Sequence, residues 1–315
     1  MNILSSKQYE YLKNNILSNN KDIINIEYKK DVFPDGEQYF KFETPDLIKG
    51  KPAVYICGTV NNDAIFELYN IACGLVSEQC SELHIVIPYF GYAAMERADK
   101  PGEIVTAKNI ARLISNIPTP SKGIYVYMLD LHAIGIQYYF ENSIHTISLS
   151  SYEIMKQMIS DCGDNVVLAS VDMGRAKNIE RLGKNLGLDT AYIMKKRISG
   201  SETEILAINA DVKDKDVVII DDMIRSGTSV VMAAKAYKQN SAKNVYVAIT
   251  HGVFCNNAIE KMKSCDCINK ILCTNSHVNA LQYKDNDFVK IYDVSELIYK
   301  SLPVNKRKRQ QNLSF

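Results

Sequence analysis

Short runs of apolar, largely β-branched residues recur along the chain at Ala53–Cys57, Leu83–Pro88, Ile124–Leu129, Val166–Ser170, Val217–Ile220, Val245–Thr250 and Ile271–Thr274. They are too short for ordinary helices and carry no polar alternation, which is the pattern of strands buried on both faces. Between them the apolar positions take a helical spacing, over Asp63–Val76, Thr106–Ile117, Ala176–Leu186, Ser229–Lys238 and Asn256–Met262. Strand and helix in alternation predict an α/β fold of mainly parallel sheets flanked by helices. The alternation runs twice, with a seam near Leu149–Ser151 and no obvious residue-level repeat across it. Two domains are therefore expected, residues 1–149 and 150–315.

Composition narrows the partners. At 315 residues and 46% hydrophobic content the chain can fill two cores of ordinary size. Lys and Arg number 37 against 36 Asp and Glu, a net charge of +1, so the balance suits neither a nucleic-acid surface nor a polybasic membrane anchor. No segment reaches the roughly 18 apolar residues that would span a bilayer, and Met1–Asn20 holds no apolar run of signal-peptide length. A cytoplasmic protein acting on small molecules is expected. The eight cysteines include no CxxC pair, and the one close pair, Cys265 and Cys267, fits free thiols better than a zinc site or a disulfide framework. The basic run Lys306–Arg309 reads as a solvated tail.

The stretch Val217 to Val230, VVIIDDMIRSGTSV, carries the clearest chemistry. An apolar strand ends in two carboxylates, and a loop of small residues then opens the next helix. Asp221 and Asp222 can each accept a hydrogen bond from one hydroxyl of a ribose diol. Backbone N–H groups of Ser226, Gly227, Thr228 and Ser229 at a helix amino terminus can cradle a phosphate. Ligand sites of open α/β sheets lie at the carboxyl ends of strands, where this motif falls.

That motif resembles the phosphoribosyl-binding motif shared by phosphoribosyl pyrophosphate (PRPP) synthetases and type I phosphoribosyltransferases. Other segments resemble the synthetases alone. Phe33-Pro34-Asp35-Gly36-Glu37 is similar to the segment that receives the ATP adenine, and Pro88-Tyr89-Phe90-Gly91-Tyr92-Ala93 to a second ATP segment. Leu129-Asp130-Leu131-His132-Ala133, Ser170-Val171-Asp172-Met173-Gly174 and Thr250-His251-Gly252-Val253-Phe254 come in the family's order and spacing. The resemblance implies two type I phosphoribosyltransferase-like domains, 1–149 on the ATP side and 150–315 on the ribose-phosphate side. It also implies Mg2+-dependent transfer of a diphosphate from ATP to the anomeric hydroxyl of a 5-phosphorylated ribose. By the same resemblance Phe33, Asp35, Glu37, Arg97, Asp99 and His132 contact ATP, and Lys195 and Arg197 form the Lys-x-Arg of a flexible catalytic loop. His132 and Asp172 are the implied metal ligands, and the protein is implied to be a homo-oligomer in which the Phe33 loop completes a neighbour's ATP site.

Three departures stand out. The Arg-Gln pair that typically comes after the second ATP segment is replaced by Ala94 and Met95, leaving Arg97 as the nearby cation. An acid of the family's phosphate loop becomes Arg225, and a glycine after Gly174 becomes Arg175. Added guanidinium groups suit a longer anionic substituent than one phosphate. The acceptor is thus expected to be ribose 5-phosphate or a 5′-extended ribose such as ADP-ribose. The lost Arg-Gln pair also raises an alternative, a catalytically inactive regulatory subunit, against which the retained Lys195, Arg197, His132 and Asp172 argue.

Overall fold

The computed structural model describes residues 1–199 and 202–303. The side chains of residues 195–207 and the basic run Lys306–Arg309 lie outside the described part. The chain folds as two units, residues 1–150 with the segment from Val294, and Ser151–Asp293.

The first unit holds strands β1 (Asn2–Ser5) and β2 (Ile24–Asn25), the ribbon β3 (Tyr28–Val32) and β4 (Gln38–Phe42), then β5 (Pro52–Ile56), β6 (Glu82–Ile87), β7 (Ile124–Leu129) and β8 (Ile144–Leu149). Helices α1 (Glu10–Ser18), α2 (Asn62–Ser77) and α3 (Thr106–Ser115) connect them. The second unit runs α4 (Tyr152–Ser160), β9 (Val166–Ala169), α5 (Ala176–Leu186), β10 (Asp189–Ala191), the ribbon β11 (Ile193–Ser199) and β12 (Glu202–Ile208), β13 (Asp216–Ile224), α6 (Thr228–Gln239), β14 (Asn244–Gly252), α7 (Ala258–Ser264), β15 (Lys270–Thr274) and β16 (Val289–Tyr292). Helix α8 (Ser295–Ser301) comes last.

Each unit is built on a six-stranded sheet, ordered β2-β1-β5-β6-β7-β8 in the first and β10-β9-β13-β14-β15-β16 in the second. Every pairing in both sheets is parallel. The continuous apolar runs are explained by burial on two sides. Val217 and Ile219 of β13 enter one core cluster, while Val218 and Ile220 enter the other on the opposite face. A polar residue at any of these positions would be buried without partners, which is why the run is unbroken.

The expected second domain, 150–315, does not hold: residues 294–303 belong to the first unit, where α8 packs on α1. Leu302 and Ile298 are fully buried there, so apolar burial and not sequence order decides where the last helix belongs.

Candidate functional site

In the second unit, β13 is buried from Asp216 to Ile220 and emerges at Asp221. The two acids at its end are held by their own backbone: Asp222 N donates to Asp221 Oδ1 (2.9 Å), and Met223 N to Asp222 Oδ1 (2.8 Å). Arg175, at the end of a 3-10 turn Met173–Arg175, lies across both, with Nε 2.6 Å from Asp221 Oδ1 and Nη2 2.5 Å from Asp222 Oδ1. The expectation that Arg175 adds positive charge for a distant anion is thereby changed, since this guanidinium faces Asp221 and Asp222. Burial pushes the Asp221 carboxyl up to about 7; Arg175 opposes that rise and Asp222 adds to it.

After the acids the chain turns through Arg225 and Ser226 into α6. Gly227, the residue before the helix, has φ of +72°, and a Cβ there would press on the Met262 side chain at 3.0 Å. The left-handed backbone conformation therefore calls for glycine, and the Met262 contact would have to give way to any larger residue. Ser226 Oγ lies 3.2 Å from Thr228 Oγ1. Arg225 is exposed and makes no ion pair among the described residues. Lys261 of α7 reaches the same place, its Nζ donating to Thr228 Oγ1 at 2.6 Å. Sequence reasoning missed Lys261 because only the packing of α7 beside α6 brings it there.

Asp172 caps the 3-10 turn, Oδ1 accepting from Gly174 N at 2.9 Å, and its other oxygen makes no bond among the described residues. Mg2+ takes one or two carboxylates and fills its shell with water and phosphate oxygens, so a single loop carboxylate with an open oxygen fits it. Among the described residues no three His, Cys, Asp or Glu gather as a metal cluster. Lys195 and Arg197 lie in β11, paired antiparallel with β12 opposite Ile205 and Thr203, where a loop was expected.

In the first unit the Phe33 segment is the tip of the β3–β4 hairpin. Phe33 N donates to Glu37 O (2.8 Å), Gly36 N to Phe33 O (2.9 Å), and Glu37 N to Asp35 Oδ1 (3.0 Å). This closed turn carries the Phe33 ring 49% exposed, with Tyr39 beside it at 5.7 Å between ring centres. Arg97 is engaged locally, Nε 3.0 Å from Asp99 Oδ1 and Nη1 3.3 Å from Glu96 Oε1, with its side chain 71% exposed. His132 comes after β7 and is exposed. His84, by contrast, is buried against Tyr127. His251 is buried on Ser276, 2.8 Å away, and His277 caps a 3-10 helix while burial and His251 push it down to about 4. These three are packing residues by their surroundings.

Among the described residues no helix is long and apolar enough to cross a membrane. Residues 1–117 match the model of the N-terminal domain of ribose phosphate pyrophosphokinase, and residues 184–312 that of the phosphoribosyl synthetase-associated domain. The chain is 31% identical over 259 residues to ribose-phosphate pyrophosphokinase of Pyrococcus furiosus, covering 81% of this chain and 86% of that one. It is 33% identical over 239 residues to the Campylobacter jejuni protein of the same name, covering 74% of each. Phosphoribosylpyrophosphate synthetase from Mycobacterium smegmatis has the same fold, with a TM-score of 0.84 over 98% of this chain and 99% of that one at 20% identity. Fold, site motifs and sequence thus converge, and the chain belongs to the ribose-phosphate pyrophosphokinase family of enzymes.

Proposed function

We propose that this chain moves the β,γ-diphosphate of ATP to the anomeric 1-hydroxyl of a 5-phosphorylated ribose, with ribose 5-phosphate as acceptor, Mg2+ as metal and AMP as the second product. The observation that carries this reading is the Asp221–Asp222 pair at the carboxyl end of β13, continuing directly into the Gly227 turn and the amino end of α6. The acids accept from the 2- and 3-hydroxyls, and the helix amides hold the 5-phosphate. With those groups fixed, the 1-hydroxyl is the one left to react. Its oxygen attacks the β-phosphorus and gives up its proton to solvent, the bond from that phosphorus to the bridging oxygen of the α-phosphate breaks, and AMP leaves with that oxygen.

Lys195 and Arg197 are the cations assigned to the diphosphate in transfer, a step that needs positioning and charge neutralisation more than covalent chemistry. Asp172 and, by resemblance, His132 would hold Mg2+, which when bound neutralises phosphate charge. Phe33, Asp35 and Glu37 are assigned to the adenine of ATP on a neighbouring subunit of a homo-oligomer, a role suited to a half-exposed ring on a hydrogen-bonded hairpin tip. Asp99 belongs to the same ATP group. Arg97, paired with Glu96 and Asp99, is the weakest member of it.

A second acceptor, ADP-ribose, is favoured by one feature: Arg225 and Lys261 put two cations beside the phosphate loop, enough for a diphosphate. The test is AMP release from Mg-ATP with ribose 5-phosphate and ADP-ribose supplied separately, with mass spectrometry of the acceptor and a chelator control. Diphosphate gained by ribose 5-phosphate supports the main reading, and by ADP-ribose alone the second. No AMP with either acceptor would sink both and leave the inactive regulatory subunit.

A further inference from the structure

We propose that Arg175 is a positioning residue for the acceptor ribose: its guanidinium clamps Asp221 and Asp222 in the orientation that takes the diol, and it does not read the acceptor's phosphates. This rests on the reading above, that the two acids bind a ribose diol. The warrant is the fork itself, one planar group spanning two carboxylates at 2.6 and 2.5 Å. Guanidinium donors are fixed relative to one another, so carboxylates bonded to two of them are fixed relative to one another as well.

Each Oδ1 also takes a main-chain amide, at 2.9 Å for Asp221 and 2.8 Å for Asp222. Two donors on one oxygen stop the carboxylate from rotating. In Asp221 that leaves Oδ2, which makes none of these bonds, as the face presented to a hydroxyl. Neighbouring strands set the clamp: Arg175 lies six residues beyond Ala169 of β9, whose Cα partner Ile219 lies just before the acids on β13. Charge works in the same direction. The side chains of Asp221 and Asp222 are only 16% and 8% exposed, and burial of two adjacent acids favours protonation, a tendency the Arg175 guanidinium opposes without abolishing it. A protonated carboxyl accepts a hydroxyl hydrogen bond more weakly than a carboxylate. Reading of any phosphate beyond the 5-position then falls to Arg225 and Lys261, which stand at the loop and not at the acids.

The experiment compares the full-length wild type with Arg175→Gly and Arg175→Lys, using ribose 5-phosphate, ADP-ribose and 2-deoxyribose 5-phosphate in turnover and in calorimetric binding. Thermal melts check folding. Arg175→Gly should raise KM and Kd by about tenfold, and equally for the two ribose acceptors because both share the diol, while KM for ATP stays within about twofold. Arg175→Lys, which keeps the charge without the fork, should recover part of that loss. The penalty for the missing 2-hydroxyl, measured in the wild type, should shrink in Arg175→Gly, a coupling that simple structural damage would not produce.

A loss confined to ADP-ribose would overturn the proposal by making Arg175 a phosphate reader. Tighter acceptor binding in Arg175→Gly would also overturn it, by making Arg175 a competitor of the diol. If Arg175→Gly fails to fold, Arg175→Lys alone decides: equal loss on both ribose acceptors supports the clamp, unequal loss removes it. Should the wild type bind the acceptors without turning them over, the binding data still decide on Arg175 while the catalytic reading fails. No binding of any acceptor would remove both.

Discussion

Strand β5 of the first unit and strand β13 of the second occupy the same place, third in sheets of one order, each with an antiparallel ribbon inserted before it. Beyond their carboxyl ends the two strands differ. Strand β13 runs through Asp221, Asp222 and the Gly227 turn into α6, with its polar groups at a surface a ligand can reach. Strand β5 ends at Ile56 and continues through Cys57, Gly58, Thr59 and Val60 to Asn61, whose side chain caps α2 by accepting from Ala64 N. There Thr59 Oγ1 accepts from Gly91 N at 2.6 Å, and Gly58 lies against the Tyr9 ring. The fold supplies a helix amino terminus at both places. In the second unit it is joined to carboxylates and an open turn, whereas in the first the same position is used for packing.

Removing a cation proposed to act in the transfer should separate the two units most sharply. Lys195→Ala is expected to lower kcat by about a hundredfold or more, with KM for acceptor and ATP changed little, as for loss of a group that acts mainly in the transition state. Steady-state kinetics with both substrates varied would check it, and unchanged turnover would remove Lys195 from the mechanism.

The first unit should respond in stability instead. A Cβ at position 91 would run into the Thr59 carbonyl oxygen, a backbone atom that cannot swing aside. Gly91→Ala is therefore expected to cost about 3 kcal/mol, as an overpacked site does, and to show as a lower denaturant midpoint. An equal stability cost from Ala at an open position such as Gly135, where a Cβ meets nothing within 4 Å, would break the argument.

If Asp221 takes the acceptor diol as proposed, it links pH to acceptor binding. Its carboxyl is raised to about 7 by burial, so it holds its proton as pH falls through neutrality and is a carboxylate above it. Acceptor kcat/KM should rise with pH through about 7 and fall by up to about tenfold per unit below it. Asp221→Asn should flatten this inflection and lower the plateau. The first unit offers no matching titration, because its counterpart position carries no acid.

The same contrast explains how far fold and site were legible in the sequence. Runs such as Val217–Ile220 announced the central strands because burial on both faces forbids polar residues. Edge strand β8, IHTISL, mixes polar and apolar positions and did not stand out, since one side of an edge strand is unpaired. Asp221, Asp222 and Gly227 were readable because local chemistry fixes them: a strand end, a positive φ, a helix start. The partner of the acids was not. Nothing in residues 173–176 alone says that Arg175 turns back across β13, and its charge suggested a phosphate instead. The return of α8 to α1 was hidden for the same reason, being set by long-range burial.

Lys261 is the last such long-range feature, and it gives the smallest expected effect. Its amine reaches the turn before α6 by donating to Thr228 Oγ1, on an exposed face where solvent would weaken the attraction to a phosphate. Lys261→Ala should raise acceptor KM about three- to tenfold at low salt and less at high salt, with kcat unchanged. The size of the effect should depend on the acceptor. If Lys261 and Arg225 together serve a diphosphate, Lys261→Ala and Arg225→Asp should each cost more with ADP-ribose than with ribose 5-phosphate. If one phosphate is all the loop holds, the ratio of the two acceptors' kcat/KM will not move in either variant, and the extra cations of the second unit are surface charge without a ligand.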